Sequence, residues 1–144
     1  MFLGQYDHSI DDKSRLTLPA RFRDALADGV VLSQGLDRSV DVYPKLAWET
    51  TVAERIGQLD PLLPDTRMLR HHFFGGAAED TPDKQGRVMI PASLLRHGKL
   101  TKEVTVVGNH DHLEIWDRSI WAERLEEIEG GADNAAQRLA EQRG

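Results

Sequence analysis

Two carboxylate–guanidinium pairs carry the chemistry that can be read from this sequence: Asp11 with Arg15, and Asp83 with Arg87, each separated by four residues. An aspartate that takes up one edge of a guanidinium fixes its plane, leaving the remaining N–H groups for phosphate oxygens or the edge of a guanine. The same spacing also fits a purely structural role, in which the aspartate caps turn amides and pairs with the arginine to fix strand register. Lys13 and Lys84 stand between the members of each pair and add cationic donors.

The two pairs belong to one repeated stretch. Asp11–Ala20 returns as Asp83–Ala92, with Asp11/Asp83, Arg15/Arg87, Pro19/Pro91 and Ala20/Ala92 coinciding at an offset of 72 residues. Phe2/Phe74 and Gly4/Gly76 keep that offset, and Gly35/Gly108, Asp41/Glu114, Tyr43/Trp116 and Trp48/Trp121 follow at 73. A chain that is doubled in this way, with too few copies for a solenoid, predicts two half-domains sharing one core across a pseudo-two-fold axis.

The elements that must position the pairs follow from periodicity. Residues 3–10 alternate and predict a strand; Asp11–Ser14 is a turn, and Arg15–Leu18 alternates again, so a hairpin is expected with Asp11, Lys13 and Arg15 at its tip. Pro19 leads a short helix through Ala27, stopped at Asp28-Gly29. Strands are expected at 30–32 and 40–43 around a Gly35–Arg38 turn. Pro44 then opens a helix carrying Trp48, Val52, Ile56 and Leu59. After the break at 60–64, Asp65 or Thr66 is expected to cap a helix over about 67–74. The second half repeats the order: strand 77–81, turn 83–87, strand 87–90, a helix led by Pro91 and stopped at Gly98, then strands 104–108 and 112–116. Ser119 or Asp117 is expected to cap a last amphipathic helix, and beyond Gly130-Gly131 the tail is expected to fray or to extend as a loose helix. The expected division is 5–47 for the first unit, 48–75 for a helical connector, 76–119 for the second unit and 120–144 for the C-terminal helix and tail.

The 144 residues are 40% hydrophobic and 29% charged, the composition of a globular chain with a substantial core. Cysteine is absent, which excludes disulfides and thiolate metal sites, and no run of 18 apolar residues predicts a membrane span. The net charge of −6 argues, taken alone, against a simple electrostatic nucleic-acid binder. Its distribution qualifies that: Lys84–Lys99 contains four basic residues and no acid, whereas Glu114–Gly144 contains eight acids against four arginines.

Met1-Phe2-Leu3-Gly4, Asp11-Asp12-Lys13-Ser14-Arg15-Leu16-Thr17-Leu18-Pro19-Ala20-Arg21-Phe22-Arg23 and Asp83-x-x-Gly86-Arg87-Val88-x-Ile90-Pro91 resemble the MraZ family of bacterial transcriptional regulators, over roughly residues 1–125. The resemblance implies an α+β, mainly β fold: a pseudo-two-fold swapped-hairpin AbrB-like β-barrel from two tandem repeats, with peripheral helices. It implies a cytoplasmic, nucleoid-associated homo-oligomeric ring that binds double-stranded DNA at direct repeats upstream of its own operon, in the division and cell-wall gene cluster, as an autorepressor. On this reading Arg15 and Arg87 recognise bases or phosphates, Lys13 and Lys84 contact phosphates, and Asp11, Asp83, Gly86, Pro19 and Pro91 position them. The glycine expected before the arginine is Ser14 in the first copy, so the two tips need not be equivalent.

Two other classes are open to the residues. A pure assembly scaffold would use the apolar helix faces around Trp48, Val52, Ile56 and around Trp121, Leu125, Ile128. A metal-dependent enzyme would draw on His71-His72 or on His110 and His112, the latter two expected on one strand face; no third ligand stands at a recognisable spacing, so neither metal nor cofactor is expected, nor catalysis.

Overall fold

The computed structural model describes residues 1–143; Gly144, the end of the expected tail, lies outside the described residues. Eight strands form: β1 Gln5–Ser9, β2 Arg15–Thr17, β3 Val30–Gln34, β4 Val40–Pro44, β5 Ala78–Asp80, β6 Arg87–Met89, β7 Glu103–Asn109 and β8 His112–Asp117. Six make one antiparallel sheet in the order β1-β7-β8-β4-β3-β5, and β2 pairs with β6 in a separate two-stranded ribbon. With helices packed on it, this is an α+β architecture whose large sheet is open, edged by β1 and β5. The closed barrel expected from the sequence is not seen among the described residues.

Exchanging the two halves, β1 for β5, β2 for β6, β3 for β7 and β4 for β8, returns the same strand order read backwards. Two register pairs map onto themselves under this exchange, Leu16–Val88 in the ribbon and Asp41–Glu114 in the sheet. Each half therefore lends strands to the other. The first corrected expectation follows: the Asp11–Arg15 turn forms, closed by the Asp11 N–H donating to the Arg15 carbonyl at 2.9 Å, but β1 and β2 part after a single Ile10–Leu16 bridge. β1 continues along β7 and β2 along β6. The ladder also adjusts the repeat alignment: Val31 pairs with Tyr43 and Thr105 with Trp116, so with Tyr43 matched to Trp116 the counterpart of Val31 is Thr105, an offset of 74, and Gly35 matches Asn109 rather than Gly108.

The core lies between ribbon and sheet. Leu16 and Val88, fully buried, point inward from the ribbon onto Val30, Leu32, Val40 and Val42, and Phe22, Leu26 and Leu94 close it from the short helices α1 (Arg23–Leu26, entered through a 3-10 turn) and α5 (Ala92–Gly98). Burying a side chain of this size contributes roughly 1.5–3 kcal/mol, so the ribbon is anchored by its inward row alone. The alternate positions Val31 and Tyr43 face the connecting helices, which explains why β3 and β4 read as continuous apolar runs.

The connector begins as α2 (Lys45–Trp48), passes through a π-helical turn at Glu49–Ala53 into α3 (Glu54–Gly57), and resumes as α4 (Pro64–Arg70), which runs into a second π turn at His71–Gly75. Pro64 opens α4 with Leu63 at the cap position and no side-chain cap, so neither Asp65 nor Thr66 caps it; proline needs no N–H partner in the first turn. α5 ends on Lys99 in the left-handed region at φ 52°, one residue beyond the expected Gly98 stop. The last helix, α6, runs without interruption over Arg118–Arg143, so past Gly130 the tail takes the helical alternative rather than fraying. Asp117 caps it, its Oδ2 accepting the Ile120 N–H at 3.1 Å, and Trp121, Ile120 and Leu125 dock on Val107 and Trp116. Among the described residues no helix is long and apolar enough to cross a membrane.

Candidate nucleic-acid interface

In each repeated turn one aspartate organises the whole loop. Asp11 Oδ1 accepts the backbone N–H groups of Lys13 and Arg15, both at 2.9 Å, and Oδ2 accepts Arg15 Nε at 2.8 Å. Asp83 does the same for Gln85 and Arg87, at 2.9 Å each, with Arg87 Nε at 2.7 Å. The backbone hydrogen bond from the arginine is the largest influence holding both carboxyls below the ordinary range, reinforced by the guanidinium against partial desolvation. The capping and the orienting readings of the motif are thus both realised, by different oxygens of one side chain. The aspartate takes Nε, and among the described residues the terminal nitrogens of neither guanidinium donate a hydrogen bond.

Register places the arginines together. Arg15 is opposite Met89 and Arg87 opposite Thr17, while Leu16 and Val88 between them face the core. Alternation therefore puts Arg15, Thr17, Arg87 and Met89 on the outward face of the ribbon. Arg15 and Arg87 are diagonal neighbours on adjacent strands, about 7–8 Å apart at the backbone. The ribbon is extended at both ends, where Leu18 N–H donates to Gly86 O (2.9 Å) and Ile90 N–H to Ser14 O (2.8 Å), so each Asp-Arg turn is tied to the other half. Lys13 and Lys84 are exposed at the turns. Pro19 is buried and Pro91 half-buried just beyond the ribbon, where each turns the chain into a helix.

The two turns differ at all three positions between aspartate and arginine, Asp12/Lys84, Lys13/Gln85 and Ser14/Gly86, and the last is the difference singled out in the sequence. Ser14 and Gly86 both sit in the left-handed region, at φ 61° and 75°. Above Gly86 lies Arg23, whose Nε donates to Leu18 O at 3.3 Å and whose side chain lines one depression with Asp83 and Lys84. The residue matched to Arg23 in the second half is Leu95, so the second turn alone gains a cation from the preceding helix. Sequence reasoning missed Arg23 as a member of the site; the signal was its place directly after the Pro-Ala-Arg-Phe run.

Histidine placement departs from expectation. His110 occupies a left-handed turn at φ 66° before β8, so it does not share a strand face with His112. His112 is buried, with Glu114 two residues on and Asp41 from the other half within reach of it; Asp41 is the partner that no sequence spacing revealed.

The family model described as "MraZ protein, putative antitoxin-like" matches residues 1–69 and 73–143. A protein of Roseiflexus castenholzii named transcriptional regulator MraZ is 42% identical over 143 residues, covering 99% of each chain. A Roseiflexus sp. protein of the same name is also 42% identical with the same coverage. One from Thermomicrobium roseum is 41% identical over 140 residues, covering 97% of this chain and 98% of its own.

Proposed function

The chain belongs to the MraZ family, and from that premise we propose that it is a sequence-specific, non-enzymatic DNA-binding transcriptional regulator that presents the β2–β6 ribbon to the major groove. The observation that carries the reading is the pair of aspartate-locked arginines side by side on one outward face. A major groove about 12 Å wide admits a two-stranded ribbon, and a guanidinium with both terminal nitrogens free can grip guanine O6 and N7. Arg15 and Arg87 then read bases, Lys13, Lys84 and Arg23 contact phosphates, and Asp11, Asp83, Gly86, Pro19 and Pro91 hold the frame. The mutual lending of strands is read as the swapped-hairpin arrangement, with units at 5–47 and 76–119, a helical connector at 48–75 and a C-terminal segment at 120–144.

The finer reading is an autorepressor of the division and cell-wall gene cluster, cytoplasmic and nucleoid-associated, acting as a ring oligomer on direct repeats in double-stranded DNA upstream of its own operon. Two features support assembly. Leu46 of α2 and Leu62 and Met68 of the connector are 72%, 82% and 70% exposed, more apolar surface than a solitary subunit needs to show. A ring would also align several ribbons, so that repeated sites are bound multivalently by a chain whose net charge is −6. Assembly alone would leave the terminal nitrogens of the paired arginines without a role.

The test is a footprint on the DNA upstream of the gene at stated salt, with wild type, Arg15→Ala, Arg87→Ala and Lys84→Ala. Loss of a bidentate base contact weakens specific binding by roughly 1–3 kcal/mol, whereas loss of a phosphate contact weakens all sequences alike and lowers the salt slope by about 1. Equal weakening on every sequence for both arginine variants would restrict the ribbon to phosphate contact.

A further inference from the structure

At the centre of the six-stranded sheet, Asp41 on β4 and Glu114 on β8 are register partners, two carboxylates face to face where like charges destabilise a ladder. His112, two residues before Glu114, shares its strand face. Its Nε2 lies 3.5 Å from Glu114 Oε2 and 4.0 Å from Asp41 Oδ2. Its Nδ1 is 2.7 Å from Asp111 Oδ1, and the ring stacks on Tyr43 at 4.3 Å and 9°. A proton on Nδ1 donated to Asp111 leaves the Nε2 lone pair aimed between the other two carboxylates.

Asp41 is only 8% exposed. Its Oδ1 accepts the Ser39 hydroxyl at 2.8 Å, but among the described residues its Oδ2 accepts no hydrogen bond and points toward His112 Nε2. Beside the cluster opens a cavity of about 310 Å³, walled by Tyr43, Thr51, Arg55, Phe73 and Asn109.

The geometry points to a divalent transition-metal site formed by Asp41 Oδ2, His112 Nε2 and Glu114 Oε2, with Asp111 holding the imidazole. The three ligand atoms lie within 4.8 Å of one another. Four-coordinate zinc with bonds near 2.0–2.1 Å sets neighbouring ligand atoms about 3.3 Å apart. The 3.5 Å edge already fits; the 4.0 Å edge, and the Asp41–Glu114 edge of at most 4.8 Å, would close on the ion. One nitrogen and two oxygens, with no thiolate in the chain, favour a first-row divalent ion, and the carboxylate behind the imidazole is the usual device for orienting a metal-bound histidine. The fourth position faces the cavity and is open to water. Because Asp41 comes from one repeat and His112 and Glu114 from the other, a bound ion would clasp the halves at the centre of their exchange.

The experiment uses the full-length, untagged chain, stripped with a chelator and titrated with ZnCl2 against a chromophoric competitor, with thermal unfolding followed in parallel. Wild type is expected to bind one ion per chain and to gain in Tm. Asp41→Asn, Glu114→Gln and His112→Gln are each expected to bind roughly tenfold or more weakly and to lose the Tm gain, while His71→Gln, at an exposed histidine, behaves as wild type. Absence of a stoichiometric ion, or unchanged affinity in the three ligand variants, overturns the assignment. Should the variants fail to fold, Co2+ added to wild type decides: a four-coordinate absorption spectrum supports the site, and a spectrum like that of the aquated ion overturns it.

Discussion

Gly86→Ala probes how the second turn is built. At φ 75° an L-residue is disfavoured by about 1–2 kcal/mol. A methyl carbon there would lie 2.5 Å from Arg23 Nε and 2.7 Å from Arg23 Cδ, so the arginine must leave its place over the turn. Doing so gives up the half-buried 3.3 Å hydrogen bond to Leu18 O, a net loss of about 0.5–1 kcal/mol. Replacing glycine also removes freedom from the unfolded chain, which returns roughly 0.4–1 kcal/mol. The balance is a destabilisation of about 1–2 kcal/mol, which for a chain of this length lowers Tm by about 3–8 °C. Ser14 occupies the equivalent position at φ 61°, and the counterpart of Arg23 there is Leu95, so Ser14→Gly is expected to stabilise by about 0.5–1 kcal/mol, strain relief of about 1–2 kcal/mol exceeding the roughly 0.4–1 kcal/mol of lost rigidity. Urea denaturation of the four proteins in the Gly86→Ala, Arg23→Ala cycle isolates the contact: the glycine substitution should cost less once Arg23 is gone. An equal cost in both backgrounds would refute the role given to Arg23, and no cost in either would refute the left-handed turn.

Leu16→Ala, fully buried at the self-equivalent ribbon pair, is expected to lower unfolding free energy by about 2–5 kcal/mol in urea, whereas Leu46→Ala on the exposed connector face should leave the subunit's own stability within about 0.5 kcal/mol. The carboxyls of Asp11 and Asp83, followed by NMR, should titrate below the ordinary aspartate value. Since both folded values are depressed, their contribution is complete above the unfolded value and is lost only as pH falls below it through the folded one; Arg87→Ala should raise the Asp83 value and leave Asp11 unchanged. Removing residues 130–144 deletes a stretch whose described part, 130–143, lies beyond the docked Ile120, Trp121 and Leu125 and contains no buried residue, and should shift Tm by less than about 2 °C, while Trp121→Ala should cost about 3–5 kcal/mol.

The motif, its duplication and most element positions were legible because they are local. An Asp-x-x-x-Arg turn before an alternating triplet and a proline is written within ten residues, and both copies fold as that pattern dictates. Strand partnership was not legible from periodicity, because β2 has the same inward Leu16 whether it lies against β1 or β6; the register that sets Arg15 beside Arg87 is a property of the exchange between halves. Past residues 130 and 131 the sequence leaves fraying and a loose helix both open, and the helix continues, since the good helix formers on both sides outweigh the roughly 1 kcal/mol that each glycine costs. His112 looked isolated because Asp41, about half the chain away, meets it only across the β4–β8 ladder. What could be read was His112-x-Glu114, two ligand-type side chains on one strand face.

The central claim, that the β2–β6 ribbon lies against DNA bases, is tested most directly by placing a photo-crosslinking amino acid at Met89, which is 55% exposed on the outward face opposite Arg15. Irradiation with the upstream DNA should join position 89 to bases within the repeats, and Arg15→Ala with Arg87→Ala should abolish the product. A protein that binds this DNA yet crosslinks only through probes on α6 or the connector, and never through position 89, would contradict the account.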